Sequence, residues 1–247
     1  MTVEEMHYEF KLKLNKVDSL DYSNFQIPEI DWYLNEAMNV FMKQKYGIFS
    51  SKGVGFETIQ KRIDDLRNLV VKEGLTTGLS QTDSNTFEAS LPGDYIFLVR
   101  AKATASKKGC KKKELTCVQV QHDDLNGILE DPYYSPSYEW GELPLVFGTT
   151  GTAATDLDKV FVYTDGSFTV QLLNVDYLRR PKRISFPIGT PNSQYNYPDG
   201  TTVIANQDCE LAEHTHKEIV DLAVQIVAGD IDHPGYQIKA LKNTINE

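Results

Sequence analysis

The spacing of apolar residues changes along the chain, and this change constrains the fold more than any other feature of the sequence. Toward both ends, apolar residues recur every three or four positions, which places them on one face of an α-helix. From Leu91 onward they alternate with polar residues, as in half-buried β-strands. Helices at both ends around a central region of antiparallel hairpins predict an α+β fold in which the N- and C-terminal helices form a bundle.

The strongest helical segment covers residues 27–47. Pro28 suits a first helical turn, and Gly47 can end the helix. Its apolar stripe consists of Ile30, Leu34, Ala37, Met38 and Phe41.

Shorter helices are predicted over residues 3–16, 56–72 and 213–229. The first begins with a capping box of Thr2 and Glu5, and the last with a second one of Thr215 and Glu218. If the ends of the chain meet, these helices bury their stripes together. The predicted helical core consists of Ile30, Leu34, Phe41, Ile63, Leu66, Ile219, Leu222 and Ile226.

Two hairpins are predicted in the middle of the chain. The first covers residues 94–121 and has a long, lysine-rich turn. The second has its turn at Asp165-Gly166, a pair that suits a two-residue turn with positive φ. Residues 75–90 and 133–151 are predicted as loops. The chain therefore divides into helices at 1–90, a β-rich extension at 91–208 and a returning helix at 209–247, together one composite domain.

The charge of this 247-residue chain is acidic and uneven, with a formal net value of −10. An acidic protein is a poor candidate for general nucleic-acid binding. Blocks of like charge are solvated loops, or they are complementary patches on neighbouring copies of the chain. Candidates for such patches are Lys107, Lys108, Lys111, Lys112, Lys113, Asp123, Asp124, Arg179 and Arg180.

A loop rich in aromatic residues follows the acidic segment. Because Tyr and Trp are enriched at protein interfaces, a protein contact is the first interpretation of this loop. A platform for stacking sugars is the second. The residues concerned are Tyr133, Tyr134, Tyr138 and Trp140.

Residues that could carry chemistry have simpler structural explanations. His214 and His216 could bind a metal, but the usual zinc spacings are absent. His122 and Asp123 have no accompanying nucleophile motif, and Asp123 is more simply the N-cap of a short helix. The sequence therefore predicts no catalytic residue, no metal site and no cofactor.

The cysteine count and the hydropathy indicate the surroundings of the chain. Three cysteines fit a reducing compartment, so Cys110 and Cys117 are expected to be free thiols. No apolar run is long enough to span a bilayer, and the first residues do not resemble a signal peptide. We expect no membrane partner.

Three stretches resemble a virion structural protein of crAss-like bacteriophages, which are tailed phages with short tails. They are EIDWYLNEAMNVFMKQKYG at 29–47, VYTDGSFTV with YLRRPKRISF within 162–186, and CELAEHTHKEIVDLAVQIVAGDI at 209–231. The resemblance implies a head-to-tail connector of the phage neck, also called a ring or adaptor protein. It supplies no catalytic residues.

From this resemblance we expect a homo-oligomeric ring, dodecameric by analogy, which docks beneath the portal and contacts other neck and tail ring proteins. Such a ring is part of the virion, assembled in the host cytoplasm, and DNA passes through it on ejection without specific binding. Two alternatives stay open. One is a ring further from the portal, and the other is a carbohydrate-binding module that uses the Tyr- and Trp-rich loop.

Overall fold

A computed structural model describes residues 1–15, 25–46, 60–75, 79–139, 142–149, 158–190, 194–197 and 200–230. The chain forms two compact units. Unit 1 contains residues 1–69 and 181–247, and unit 2 contains residues 70–180. The division into segments at residues 90 and 208 stays a prediction.

The described residues contain both helices and strands, so the predicted α+β class is confirmed. The α-helices are α1 (Val3–Asn15), α2 (Ile27–Tyr46), α3 (Gln60–Leu66), α4 (Leu125–Glu130) and α5 (His216–Asp230). The strands are β1 (Val70–Leu75), β2 (Ser80–Asp83), β3 (Thr86–Ser90), β4 (Tyr95–Ser106), β5 (Lys113–Gln119), β6 (Glu142–Thr149), β7 (Asp158–Tyr163), β8 (Thr169–Arg179), β9 (Tyr195–Asn196) and β10 (Thr202–Val203).

Unit 1 places α5 from the end of the chain against α1 and α2 from its beginning. The predicted capping box of α1 is confirmed, because the Thr2 amide donates to Glu5 Oε2 at 2.9 Å and the Glu5 amide donates to Thr2 Oγ1 at 3.3 Å. The predicted stripe of α2 is also confirmed, since all of its members are at most 2% exposed: Ile30, Leu34, Ala37, Met38 and Phe41.

The predicted stripe of α5 is partly wrong. Ile219 is fully buried, but Leu222 and Ile226 are only half-buried, as is Ile63 on α3. α5 is apolar on more than one side, so its spacing alone does not decide which side faces α1 and α2. The side that is buried consists of His216, Ile219, Val220, Ala223, Val224, Val227 and Ala228.

The predicted helix over 56–72 is too long at its C-terminal end. Residues 56–59 lie outside the described residues, α3 ends at Leu66, and after a 3₁₀ turn the chain becomes β1 at Val70. The pairing of β1 with β8 explains this change, because tertiary pairing outweighs a local helical spacing.

Unit 2 is built on one sheet of eight strands in the order β1-β8-β4-β5-β6-β7-β3-β2. Neighbouring strands are antiparallel except β5 and β6, which are parallel, so the central region is not only a run of antiparallel hairpins. The loops predicted over 75–90 and 133–151 are wrong in part, because they contain β2, β3 and β6. β2 and β3 are too short to give a clear alternation.

The predicted hairpin at Asp165-Gly166 is also wrong. β7 pairs with β6 and β3, whereas β8 pairs with β4 and β1. Residues 164–168 instead cross between distant strands, and Phe168 inserts into the core. The sheet curls to allow this crossing. The edge strand β1, the strands in the middle of the sheet, and β3 next to the opposite edge therefore line a single core, which includes Leu75, Phe87, Leu145 and Val175.

Candidate interaction surface

The lysine-rich turn between β4 and β5, residues 107–113, is called the basic tip here. The predicted hairpin around it is confirmed by the antiparallel register of Ala105 with Lys113. Gly109 has a φ of +82°, which a residue with a side chain rarely adopts. The turn therefore owes its shape partly to glycine.

Two lysines of the basic tip face inward and hold it to the loop before β6. Lys107 Nζ lies 3.1 Å from Glu139 Oε1, and Lys113 Nζ donates to the carbonyl oxygen of Glu139 at 2.8 Å. The hydrogen bond between Lys107 and Glu139 lowers the pKa of the Glu139 carboxyl and raises the pKa of the Lys107 ammonium. These contacts fix the turn against a second segment of the unit.

Tyr138 is the centre of this attachment. Its ring packs against Phe168 at 5.7 Å between centroids, and its hydroxyl donates to the carbonyl of Lys111. The ammonium groups of Lys107 and Lys113 lie 5.6 Å and 5.9 Å from the ring centroid, which is a cation–π distance. Tyr138 is only 8% exposed. It is therefore a buried residue that stabilises the basic tip through these contacts.

The other three lysines of the basic tip are Lys108, Lys111 and Lys112. Their side chains are exposed, and none of them forms an ion pair with any part of the chain that the structure describes. Cys110 is exposed between them. The basic tip thus presents a cluster of positive charge on a backbone that is held in place by the contacts with Tyr138 and Glu139.

An exposed acidic cluster follows the other end of β5. It consists of Asp123, Asp124 and Glu130, named the acidic end here, and within the described ranges none of the three has an ion-pair partner. Asp124, not Asp123, is the N-cap of α4, and its side chain makes no capping hydrogen bond. The prediction for Asp123 is wrong by one residue. His122 Nε2 lies 2.8 Å from the carbonyl oxygen of Phe147, which is a structural contact.

The exposed aromatic residues are separated from Tyr138. Tyr133 is 92% exposed and Tyr134 is 72% exposed. Trp140 lies outside the described residues. The Tyr138 ring is covered, so it is not part of a flat platform with Tyr133 and Tyr134.

The two arginines predicted as interface residues lie where β8 ends. Arg179 is half-buried, and its guanidinium donates to the carbonyl of Arg180 at 3.3 Å. The Arg180 amide donates to the carbonyl of Asp94, while its side chain is exposed. The strand end is thus held through its backbone.

A buried polar centre in unit 1 was missed by the sequence analysis. Asp31 is fully buried on α2, and its carboxylate lies 2.7 Å from His7 Nε2 and accepts from the Phe186 amide at 2.9 Å and from the Tyr195 hydroxyl. Burial, followed by the hydrogen bond to Asp31, raises the pKa of Tyr195 well above its ordinary value. The signal was present in the sequence, because Asp31 lies one helical turn before Leu34 on the apolar stripe.

Asn35, one turn further along α2, bonds the same segment. Its side chain donates to the carbonyl of Ile184 at 2.8 Å and accepts from the Ile184 amide at 2.8 Å. Tyr197 donates to the same carbonyl at 3.1 Å. Together with the hydrogen bond from the Phe186 amide to Asp31, these hydrogen bonds hold residues 184–186, which follow β8, against α2.

The histidines near the start of α5 have structural partners. His214 Nε2 lies 2.8 Å from the buried Asp65 carboxylate, and His216 Nε2 lies 3.0 Å from the carbonyl of Leu211. Among the residues that the structure describes, no group of three or more potential ligands could hold a metal.

The second predicted capping box is wrong. Thr215 donates its hydroxyl to the carbonyl of Ala212 at 2.8 Å, and its amide bonds the same oxygen. Glu218 is turned toward Lys45, whose Nζ lies 3.3 Å from its carboxylate. The helix start is therefore stabilised by a 3₁₀ turn, and the glutamate joins α5 to α2.

All three cysteines are free, which confirms the prediction for Cys110 and Cys117. Burial raises the pKa of Cys117 to about 12 and the pKa of Cys209 to about 11. The thiolate is the reactive form, so these two thiols are unreactive at neutral pH. Cys110 at the basic tip is the accessible thiol.

No described helix combines the length and apolar character that crossing a bilayer requires.

Comparison with known proteins gives one informative result. A family model described as phage tail ring protein 3/4 matches residues 1–231. No curated protein matches the chain.

Proposed function

Because this chain belongs to the phage tail ring protein 3/4 family of crAss-like bacteriophages, we propose that it forms a homo-oligomeric neck ring that docks beneath the portal. The match over residues 1–231 is the observation that carries the proposal. Membership makes the chain a structural component of the phage tail or neck and therefore of the virion. The family is one of structural ring proteins and is not a known enzyme family.

A ring protein assembles with copies of itself and with other tail proteins. A closed ring needs a heterologous interface, in which one patch of a subunit meets a different patch of the next. Unit 2 offers unlike patches in its basic tip and its acidic end. In this proposal, α1, α2 and α5 form the helical bundle of the ring, and the curled sheet forms the extension. Twelve copies are proposed by analogy with the dodecameric portal.

The proposal has two versions, which differ in where the ring lies along the neck and tail. The resemblance of the sequence favours a ring directly beneath the portal. The family description favours a ring further from the portal, because it names a ring of the tail. A carbohydrate-binding role has less support, since the Tyr138 ring is covered by Phe168 and two lysines.

A reconstruction of the virion neck by electron cryomicroscopy tests the proposal. We expect the chain to be traceable as a closed ring around the DNA channel. Chemical cross-linking of intact virions then decides the position, because a portal-adjacent ring gives cross-links to the portal protein. A chain found in fibres or on the capsid surface, with no ring at the neck, would contradict the proposal.

A further inference from the structure

We propose that the exposed lysines of the basic tip bind the acidic end of a second copy of this chain. The inference rests on the proposed function, because it names the contact that joins neighbouring subunits of the ring. The tip contributes Lys108, Lys111 and Lys112. The second copy contributes Asp123, Asp124 and Glu130.

The bracing of the tip is the first observation. Lys107, Lys113 and Glu139 tie the turn to the loop before β6, and Tyr138 supports it through the carbonyl of Lys111. A turn held in this way loses little conformational entropy when it binds. Two of the five lysines maintain the shape, and the other three are directed to solvent.

The charge of the chain is the second observation. Apart from the five lysines of the basic tip, the chain has 20 Lys and Arg residues against 35 Asp and Glu residues. From Glu114 to Asp158 the chain has no Lys or Arg, and the one histidine in this stretch is His122. A second copy is therefore an acidic partner for the tip. DNA is a poorer partner, because the remaining acidic surface repels phosphate.

The geometry of β5 is the third observation. The three exposed lysines of the basic tip precede β5, which begins at Lys113, and the acidic end follows its last residue, Gln119. The seven residues of β5 therefore separate these lysines from the acidic end by about 20 Å. The tip cannot reach the acidic end of its own chain. The two patches can meet only between copies, and such a contact is heterologous, as a ring requires.

Zero-length carbodiimide cross-linking of intact virions tests the contact in the assembled protein. It joins a lysine to a carboxylate only when the two are in contact. We expect peptides that link residues 108–112 to residues 123–130, and the separation along β5 makes each such link intermolecular. If the neck reconstruction shows the ring but the tip lysines link only to other proteins or to nothing, this inference fails and the proposed function stands. If no ring is present, both fail.

Charge reversal of the purified protein tests the same contact independently. K108E/K111E/K112E and D123K/D124K/E130K should each raise the concentration at which oligomers form by about tenfold or more in low salt. Combining both sets in one chain should restore assembly, because the charges are then exchanged and complementary. The control K11E/K43E/K217E replaces three exposed lysines of unit 1, so its charge change equals that of K108E/K111E/K112E. This control should assemble like the wild type.

Native mass spectrometry measures the oligomers, and circular dichroism verifies that each variant is folded. Two results would overturn the inference: assembly of both single-set variants at the wild-type concentration, or a combined variant that assembles no better than either set. Cys110 provides a further readout. Asp124→Cys should form an intermolecular disulfide with Cys110 of the next copy, whereas the control Glu4→Cys should not.

Discussion

Asp31 is fully buried on α2, and its carboxylate is close to His7 and accepts hydrogen bonds from Phe186 and Tyr195. A buried carboxylate is tolerated only when such partners surround it. Here the partners come from α1, from the segment after β8 and from β9. One side chain thus connects three parts of unit 1.

Replacing Asp31 by Ala should lower the free energy of unfolding by about 2–5 kcal/mol, because the Phe186 amide and the Tyr195 hydroxyl lose their acceptor in a buried site. Urea denaturation followed by circular dichroism measures the change. Glu36→Ala is the control, since Glu36 is exposed on the same helix and should change stability by less than about 0.5 kcal/mol. Equal stability of the two variants would show that the polar centre is not important for folding.

The raised pKa of Tyr195 gives a prediction about pH. The folded protein keeps the phenolic proton at a pH where the unfolded chain, with a tyrosine pKa of about 10, loses it. The contribution is therefore present below about pH 10 and is lost as the pH rises further. Tyr195→Phe should be less stable than the wild type at pH 7, because its hydrogen bond to Asp31 is absent. Its stability should also fall less steeply above about pH 10.

Unfolding by urea from pH 7 to 11 checks this difference in slope. A full proton corresponds to about 1.4 kcal/mol per pH unit, and we expect a fraction of this because the ring is partly solvated. Tyr8→Phe is the control, since Tyr8 is 70% exposed on α1. Parallel curves for the wild type and Tyr195→Phe would contradict the prediction.

At the scale of the element, the connection between β7 and β8 depends on Gly166. Its φ is +77°, and a Cβ placed there would lie 2.6 Å from Asn85 Oδ1. Gly109 at the basic tip also has positive φ, but a Cβ there would meet nothing within 4 Å. Alanine substitutions at the two glycines therefore separate two contributions to the free energy of unfolding. One is the cost of positive φ, and the other is the cost of the steric contact with Asn85.

Gly109→Ala should destabilise unit 2 by about 1–2 kcal/mol, the cost of a left-handed residue that carries a side chain. Gly166→Ala should cost more, because Asn85 must also move. Gly93→Ala, which has neither positive φ nor a contact, should be nearly neutral. Thermal or urea unfolding of the three variants measures the order. Equal losses at Gly109 and Gly166 would mean that the Asn85 contact is unimportant.

The same connection shows what could be predicted from the sequence. The positive φ at Gly166 was predictable because turn chemistry is local. The choice of strand partners was not, because the curl of the whole sheet decides it. α2 and the β4–β5 hairpin were predictable because both are long and strongly periodic, whereas β2 has four polar residues, all exposed.

The candidate surface was predictable in composition only. The lysines of the basic tip and the acids after β5 are visible as charge blocks in the sequence. The division of the lysines into bracing and exposed groups depends on Tyr138, which lies 27 residues from Lys111 along the chain. Sequence spacing does not reveal such a contact, and the separation of the two patches along β5 becomes clear only with the strand in place.

At the scale of the whole molecule, charge affects the DNA channel of the proposed ring. The chain carries a formal net charge of −10, and its basic tip would be neutralised by the acidic end of the next copy. The assembled ring would then present mainly negative charge. Such a surface would repel phosphates, so we expect DNA to slide through the proposed ring without adhering.

We therefore expect the purified protein, in oligomeric form, to leave duplex DNA unbound even at about 10 mM salt, where electrostatic forces extend about 30 Å. An electrophoretic mobility shift assay measures the binding, with a basic DNA-binding protein as the positive control. K108E/K111E/K112E is the informative variant. If the wild type retained DNA at low salt and this variant released it, the basic tip would be a phosphate contact and the channel would not be a passive one.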